Sequence, residues 1–203
     1  MRRGSLFTGV SLILVLTLLG FAIFTLLQPF SRIRNQISFR FSDTNLYLDI
    51  NADAEWSNDE NNHFEANTED GELDVDLWSV PDIIFSTDDD NQLIEAEIRI
   101  TVINRNPEKE VKVSIFNVAF DSDPIYADNP RFITCVETQN SVSGQDGSFP
   151  VTTSDQLIEP INIPASPNTE EPSFMIITFR YQLIRQNIDF DFSQNISITF
   201  ETV

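Results

Sequence analysis

Hydrophobic residues run together at the start of the chain and alternate with polar ones after it. Residues 6–27 are apolar except for Thr8, Gly9, Ser11, Thr17, Gly20 and Thr25, and residues 4–31 carry no charge. As a helix the run would be about 33 Å long at about 1.5 Å per residue, enough to cross the hydrocarbon of a bilayer. Pro29 ends it, and Arg32 and Arg34 stand where basic side chains reach the headgroups. A signal peptide would have about 7 to 15 apolar residues and then a small-x-small cleavage site. The segment LLQPFSRIR has neither that site nor a lipobox cysteine. The pattern predicts an N-terminal transmembrane anchor helix over residues 1–30 and an extracytoplasmic domain over residues 31–203.

After the anchor the period becomes two, the signature of half-buried strands. QISFRF, NLYLDI, LDVDLW and ISITF all alternate. Along residues 93–102, Ile94, Ala96, Ile98, Ile100 and Val102 share one face, and Glu95, Glu97, Arg99 and Thr101 the other. VKVSIFNVAF shifts phase near Ile115, which predicts a bulge or a sheet-switch there. FMIITFRYQL is apolar on both faces and reads as a central strand. No later segment has helical periodicity. Eight to ten short strands separated by Asp-Gly, Asn-Pro and Asp-Pro turns predict an all-β domain, an immunoglobulin-like antiparallel sandwich. Two long connections interrupt it, residues 52–72 and 137–172, the second with a short strand of its own at 156–163.

Charge narrows the list of partners. From Arg32 onward ten basic residues stand against 32 acidic ones, a net of −22, which excludes nonspecific binding to nucleic acid or anionic lipid. The surface is that of a salt-adapted protein, as in a halophilic archaeon, or of an acidic secreted one. Cys135 is alone, so no intrachain disulfide staples the fold and the core must hold by burial. The basic residues flanking the anchor, Arg2 and Arg3 against Arg32 and Arg34, favour the N-terminus inside and the domain outside the cytoplasm. The glycosylation triplet Asn195-Ile196-Ser197 agrees with that orientation.

Catalytic chemistry is hard to find in the chain. His63, its one histidine, lies in a polar stretch without a neighbouring nucleophile, and Cys135 sits in FITCVE, which reads as a strand with an inert buried thiol. Six glycines leave little scope for a phosphate loop. One cluster is better organised. In DINADAEWSNDE, oxygen side chains fall at Asp49, Asn51, Asp53, Glu55, Ser57 and Glu60, the ligand spacing of a calcium loop, although Ala54 stands where such loops need glycine. Calcium is therefore the one cofactor the sequence raises.

Three resemblances bear on function. RRGSLFTGVSLILVL resembles the class III leader of archaellins and pilins, which implies a cut between Gly4 and Ser5 and a retained helix in a filament. FSDT at 41–44 with NNHFEANTEDGELDVDL at 61–77 resembles the camelysin and TasA type of secreted β-sandwich. That resemblance implies a sandwich that polymerises by lending an N-terminal strand to the next subunit. ITVINRNPEKEVKVSIFNVAF is similar to the strand pair of membrane-anchored LEA14-like sandwiches. The leading expectation is a non-enzymatic, single-pass surface protein that meets membrane lipid through its helix and binds a protein partner or joins an envelope assembly. The alternatives are a filament subunit and a calcium-responsive adhesion module.

Overall fold

The computed structural model describes residues 30–42, 46–57, 59–68, 75–86, 93–116, 133–141, 146–150, 160–168, 170–184 and 191–203. The anchor lies outside these residues apart from its last position. Among the described residues no helix is long and apolar enough to cross a membrane.

Eleven strands are described: β1 (Phe30–Phe41), β2 (Leu48–Ala54), β3 (His63–Asn67), β4 (Val75–Ser86), β5 (Leu93–Asn104), β6 (Val111–Phe116), β7 (Ile133–Asn140), β8 (Gly147–Pro150), β9 (Ile161–Ile163), β10 (Ser173–Ile184) and β11 (Asp191–Thr202). They form two sheets, one ordered β4-β1-β11-β6-β9 and the other β3-β2-β5-β10-β7-β8. Among the described residues the fold is all-β and the two sheets pack as a sandwich, as the period-two pattern predicts. FMIITFRYQL becomes β10, flanked by β5 and β7, the interior position its two-sided hydrophobicity requires.

Three expectations need correction. The sandwich is not wholly antiparallel, because β1 and β11 pair in parallel from Arg32↔Asp191 to Phe41↔Phe200. A parallel pair needs a long crossover, and here the whole intervening domain supplies it. No bulge occurs within β6, which keeps regular register with β11 through Phe116, and residues 117–120, where the second phase runs, lie outside the described residues. Register shifts occur elsewhere: on β7, where Thr134 is the extra residue opposite Arg180 and Tyr181, and on β4, where Pro81 and Asp82 together oppose Arg34. Proline cannot donate to a ladder, so an edge strand at a bulge is where it fits. Finally, the long connections carry structure: residues 52–72 hold a 3-10 turn (Glu60–Asn62) and β3, and residues 137–172 hold β8 and β9. Of the strand expected at 156–163, β9 is described, and residues 151–159 lie outside the described set.

Alternation fills the space between the sheets. Ile33, Ile37 and Phe39 of β1 and Ile196, Ile198 and Phe200 of β11 face Ile98, Ile100 and Val102 of β5 and Met175, Ile177 and Phe179 of β10, all fully buried. Each such side chain contributes about 1.5–3 kcal/mol, the term that must outweigh chain entropy in a fold without a disulfide. One flank is closed by rings: Phe64 of β3 stacks on Phe39 at 5.0 Å and on Trp78 of β4 at 6.1 Å. The Trp78 Nε1 donates to the Asn61 carbonyl at 3.1 Å, tying the 3-10 turn to that flank.

A buried asparagine pair organises the turn between β5 and β6. Asn104 Nδ2 donates to the carbonyls of Pro164 at 2.8 Å and Lys109 at 3.0 Å, while its Oδ1 accepts from the Asn106 backbone N–H at 2.9 Å. Ser166 donates to the Asn104 carbonyl and accepts from the Ser173 N–H. The N-R-N-P segment thus ties the β9–β10 connection into the sandwich.

Candidate functional site

The same alternation that fills the core lays polar side chains on the outer face of the six-stranded sheet. Register sets Arg180 of β10 opposite Glu97 of β5 on one side and Cys135 of β7 on the other. Its guanidinium bridges two carboxylates, with Nη1 at 3.0 Å from Glu97 Oε2 and Nη2 at 3.0 Å from Glu137 Oε2. The bond to Glu137 raises the Arg180 pKa most, ahead of the opposing desolvation, so the guanidinium stays charged. Around this triad lies a trough of about 530 Å³, floored by Ile176 and Thr178 and walled by Arg99, Glu137, Gln139, Asp146 and Ser148. That volume is within the usual range for a bound molecule, but the lining is more polar than most ligand cavities. It offers charges of both signs and hydroxyl and amide groups, a surface for hydrogen-bonded recognition.

A second cluster sits at the edge of the same face. Asp53 of β2 and His63 of β3 are cross-strand partners, and Glu65 lies two residues along on the same side. His63 Nδ1 is 2.7 Å from Asp53 Oδ1, and Nε2 is 3.0 Å from Glu65 Oε1. These bonds raise the His63 pKa, Glu65 contributing most and Asp53 next. Protonated, the ring donates to both carboxylates; neutral, it donates to one. The arrangement is a proton-dependent clasp between the edge strand β3 and its neighbour.

The positions of the calcium spacing are laid out differently from a loop. Asp49, Asn51 and Asp53 stand on β2, where alternate side chains are about 6.6 Å apart, too far to converge on one ion at about 2.3–2.6 Å. Asp49 is also engaged, its Oδ1 by Asn67 Nδ2 at 2.9 Å and its Oδ2 by Arg105 Nε at 2.7 Å. Glu55 lies in the turn after β2 and Glu60 opens the 3-10 turn, while the Ser57 hydroxyl accepts from the Asp59 N–H at 3.0 Å. Among the described residues no three His, Cys, Asp or Glu side chains are grouped to hold a metal.

The remaining expected positions also find their places. Asn195 is exposed on the outer face of β11, opposite Gln36 of β1. Cys135 is half-buried, not buried, because alternation turns Val136 into the core and its own Sγ outward to Ser148 Oγ at 3.1 Å. Four strand positions, about 19 Å at about 4.8 Å each, separate it from the strand of His63, so the two form no nucleophile–base pair.

No protein-family model matches the chain, and no curated protein matches it. Among solved structures, the major pilin from Streptococcus pyogenes aligns at 5% identity over 85% of this chain and 98% of its own, with a TM-score of 0.18. A mutant of the same pilin aligns at 4% identity over the same shares, with a TM-score of 0.15. Overlap this low carries no argument about the fold or the role of this chain.

Proposed function

We propose that the chain is a non-enzymatic surface protein, an immunoglobulin-like sandwich held outside the cytoplasm by an uncleaved N-terminal helix, whose outer face binds a protein partner. The observation that carries this reading is the placement of β1. The strand begins at Phe30, three residues after the apolar run ends at Leu27 with only Gln28 and Pro29 between, and is paired on both sides, by β4 and β11. An anchor joined so directly to an interior strand would hold the sandwich at the membrane surface without a flexible stalk. The polar trough on the six-stranded sheet is the surface offered for recognition. Crosslinking in native membranes, followed by mass spectrometry of the mature N-terminus, tests both parts. The expected result is a chain that retains residues 6–27 and crosslinks to a discrete protein. A mature chain beginning after residue 27, or one with no crosslinked protein, overturns it.

One observation favours a second reading, a filament or envelope subunit. Among the described residues three of the four sheet edges are short, β3, β8 and β9 having five, four and three residues. β4 is an edge of twelve residues, with Leu77 57% and Ile84 63% exposed. A long edge bearing apolar side chains is a template for pairing with another strand.

A further inference from the structure

Beside the trough, where β2 runs out into residues 55–57, a smaller cavity of about 300 Å³ opens. It is lined by Trp56, by the acidic residues Glu55, Glu95 and Glu97, and by Ala96 and Arg180, with the buried Tyr181 at its base. Trp56 and Tyr181 meet edge to face, 6.2 Å between centroids and 60° between planes. Tyr181 is fully buried and donates its hydroxyl hydrogen to Asn35, so that base is fixed. The Glu55 N–H donates to the Glu97 carbonyl at 3.0 Å, which holds the turn and its carboxylate against β5.

We propose that this cavity binds an organic cation, the guanidinium or ammonium group of a basic side chain on the partner protein. The inference rests on the partner-binding reading above and gives that partner's contact a chemistry. Glu55, Glu95 and Glu97 against Arg180 leave the lining with a net negative formal charge, and an indole attracts a cation placed over its face. The cavity is at the small end for ligands, suited to a single side chain. A metal ion needs several oxygens converging within about 2.6 Å, and no such group exists among the described residues. A broad, weakly hydrated guanidinium tolerates dispersed carboxylates and stacks on a ring. The wall already holds one, since Arg180 Nη1 lies 3.0 Å from Glu97. The Trp56 indole N–H is buried without an acceptor among the described residues. A peptide carbonyl entering beside the basic side chain would supply one.

The test is a ligand-observed NMR titration of the full chain in detergent micelles with N-acetyl-arginine methylamide, and with its neutral citrulline counterpart as control. Saturable binding of the arginine probe alone is expected. Glu55→Gln with Glu95→Gln should weaken it about tenfold, the sum of two exposed charge contacts, and Trp56→Phe about threefold. Glu108→Gln, in the distant β5–β6 turn, should leave it unchanged, and melting curves of all variants report that the fold is intact. Equal binding of the citrulline probe, equal loss in Glu108→Gln, or no loss in the double variant overturns the proposal. Failure of the probe while a native protein partner still crosslinks sinks the cavity alone. Probe binding with no crosslinked partner keeps the cation site and sinks the partner-binding reading, and with it the assignment of the cation to a protein side chain.

Discussion

Across the middle of the sandwich the Tyr181 hydroxyl donates to Asn35 Oδ1 at 3.2 Å, a polar bond from β10 of one sheet to β1 of the other. Both residues are buried, and burial pushes the Tyr181 phenol far up, so it stays protonated and remains a donor. The Asn35 Nδ2 has no hydrogen-bond partner among the described residues. Tyr181→Phe therefore leaves the Asn35 carbonyl oxygen stranded as well, and should cost about 1–3 kcal/mol in denaturant unfolding. Pairing it with Asn35→Leu removes the stranded amide and should recover much of that loss. A double variant as unstable as the sum of the two singles would show that the bond is not what links the sheets.

His63 sets the second expectation, a pH-dependent clasp on the edge strand. It faces Asp53 across the strand pair and Glu65 along its own strand, and Arg99 lies opposite Asp53 on the far side of β2. The folded-state pKa is raised above its ordinary 6.5. A raised pKa means the clasp's contribution is full below the unfolded value and is lost as pH rises through the folded one. Melting temperatures of the native chain and His63→Gln should differ most below about pH 6.5 and converge at higher pH. Because the ring is well exposed the difference will be small. A gap that widens with rising pH would reverse the sign and rule the clasp out.

How much of this was legible beforehand depends on which distances a residue's role spans. Strand identity is local, and the alternation at 93–102 gives β5 and its outward Glu95, Glu97 and Arg99 directly. Register is not local. The meeting of Arg180 with Glu97 and Glu137 joins positions far apart in sequence, and nothing in a period-two pattern says which strands will be neighbours. The parallel β1–β11 pair is illegible for the same reason, since it joins the two ends of the domain. The 1-3-5 spacing of Asp49, Asn51 and Asp53 is also the spacing of one face of a strand, and the alternating Leu48, Ile50, Ala52 and Ala54 were the signal that placed them on one. Asn104 and Asn106 were visible as a turn, but their burial depends on a segment more than fifty residues away.

That geometry makes the calcium question sharp. Asp49→Ala removes the partner of Arg105 and Asn67, and should destabilise the chain by about 1 kcal/mol whether or not calcium is present. Calcium should change the melting temperature no more than magnesium at equal concentration, in the native chain and in Asp49→Ala with Asp53→Ala alike. A rise specific to calcium and abolished in the double variant would mean that residues 49–60 rearrange around an ion.

The long edge of β4 separates the two functional readings. In an antiparallel pair of β4 strands related by a two-fold axis, Leu77 of one copy can lie against Ile84 of the other, a self-complementary contact of the kind isologous dimers use. The bulge at Pro81 and Asp82 divides the edge, so pairing would run over its two halves. Lysine is a residue with which natural edges are kept apart. Leu77→Lys with Ile84→Lys, both at exposed positions, should change stability by no more than about 0.5 kcal/mol each. If the chain is a subunit of an assembly built on this edge, the native protein in detergent sediments as an oligomer and the double variant as a monomer. A native chain that is monomeric at all concentrations removes the edge from consideration and leaves the anchored, partner-binding reading to stand on the opposite sheet.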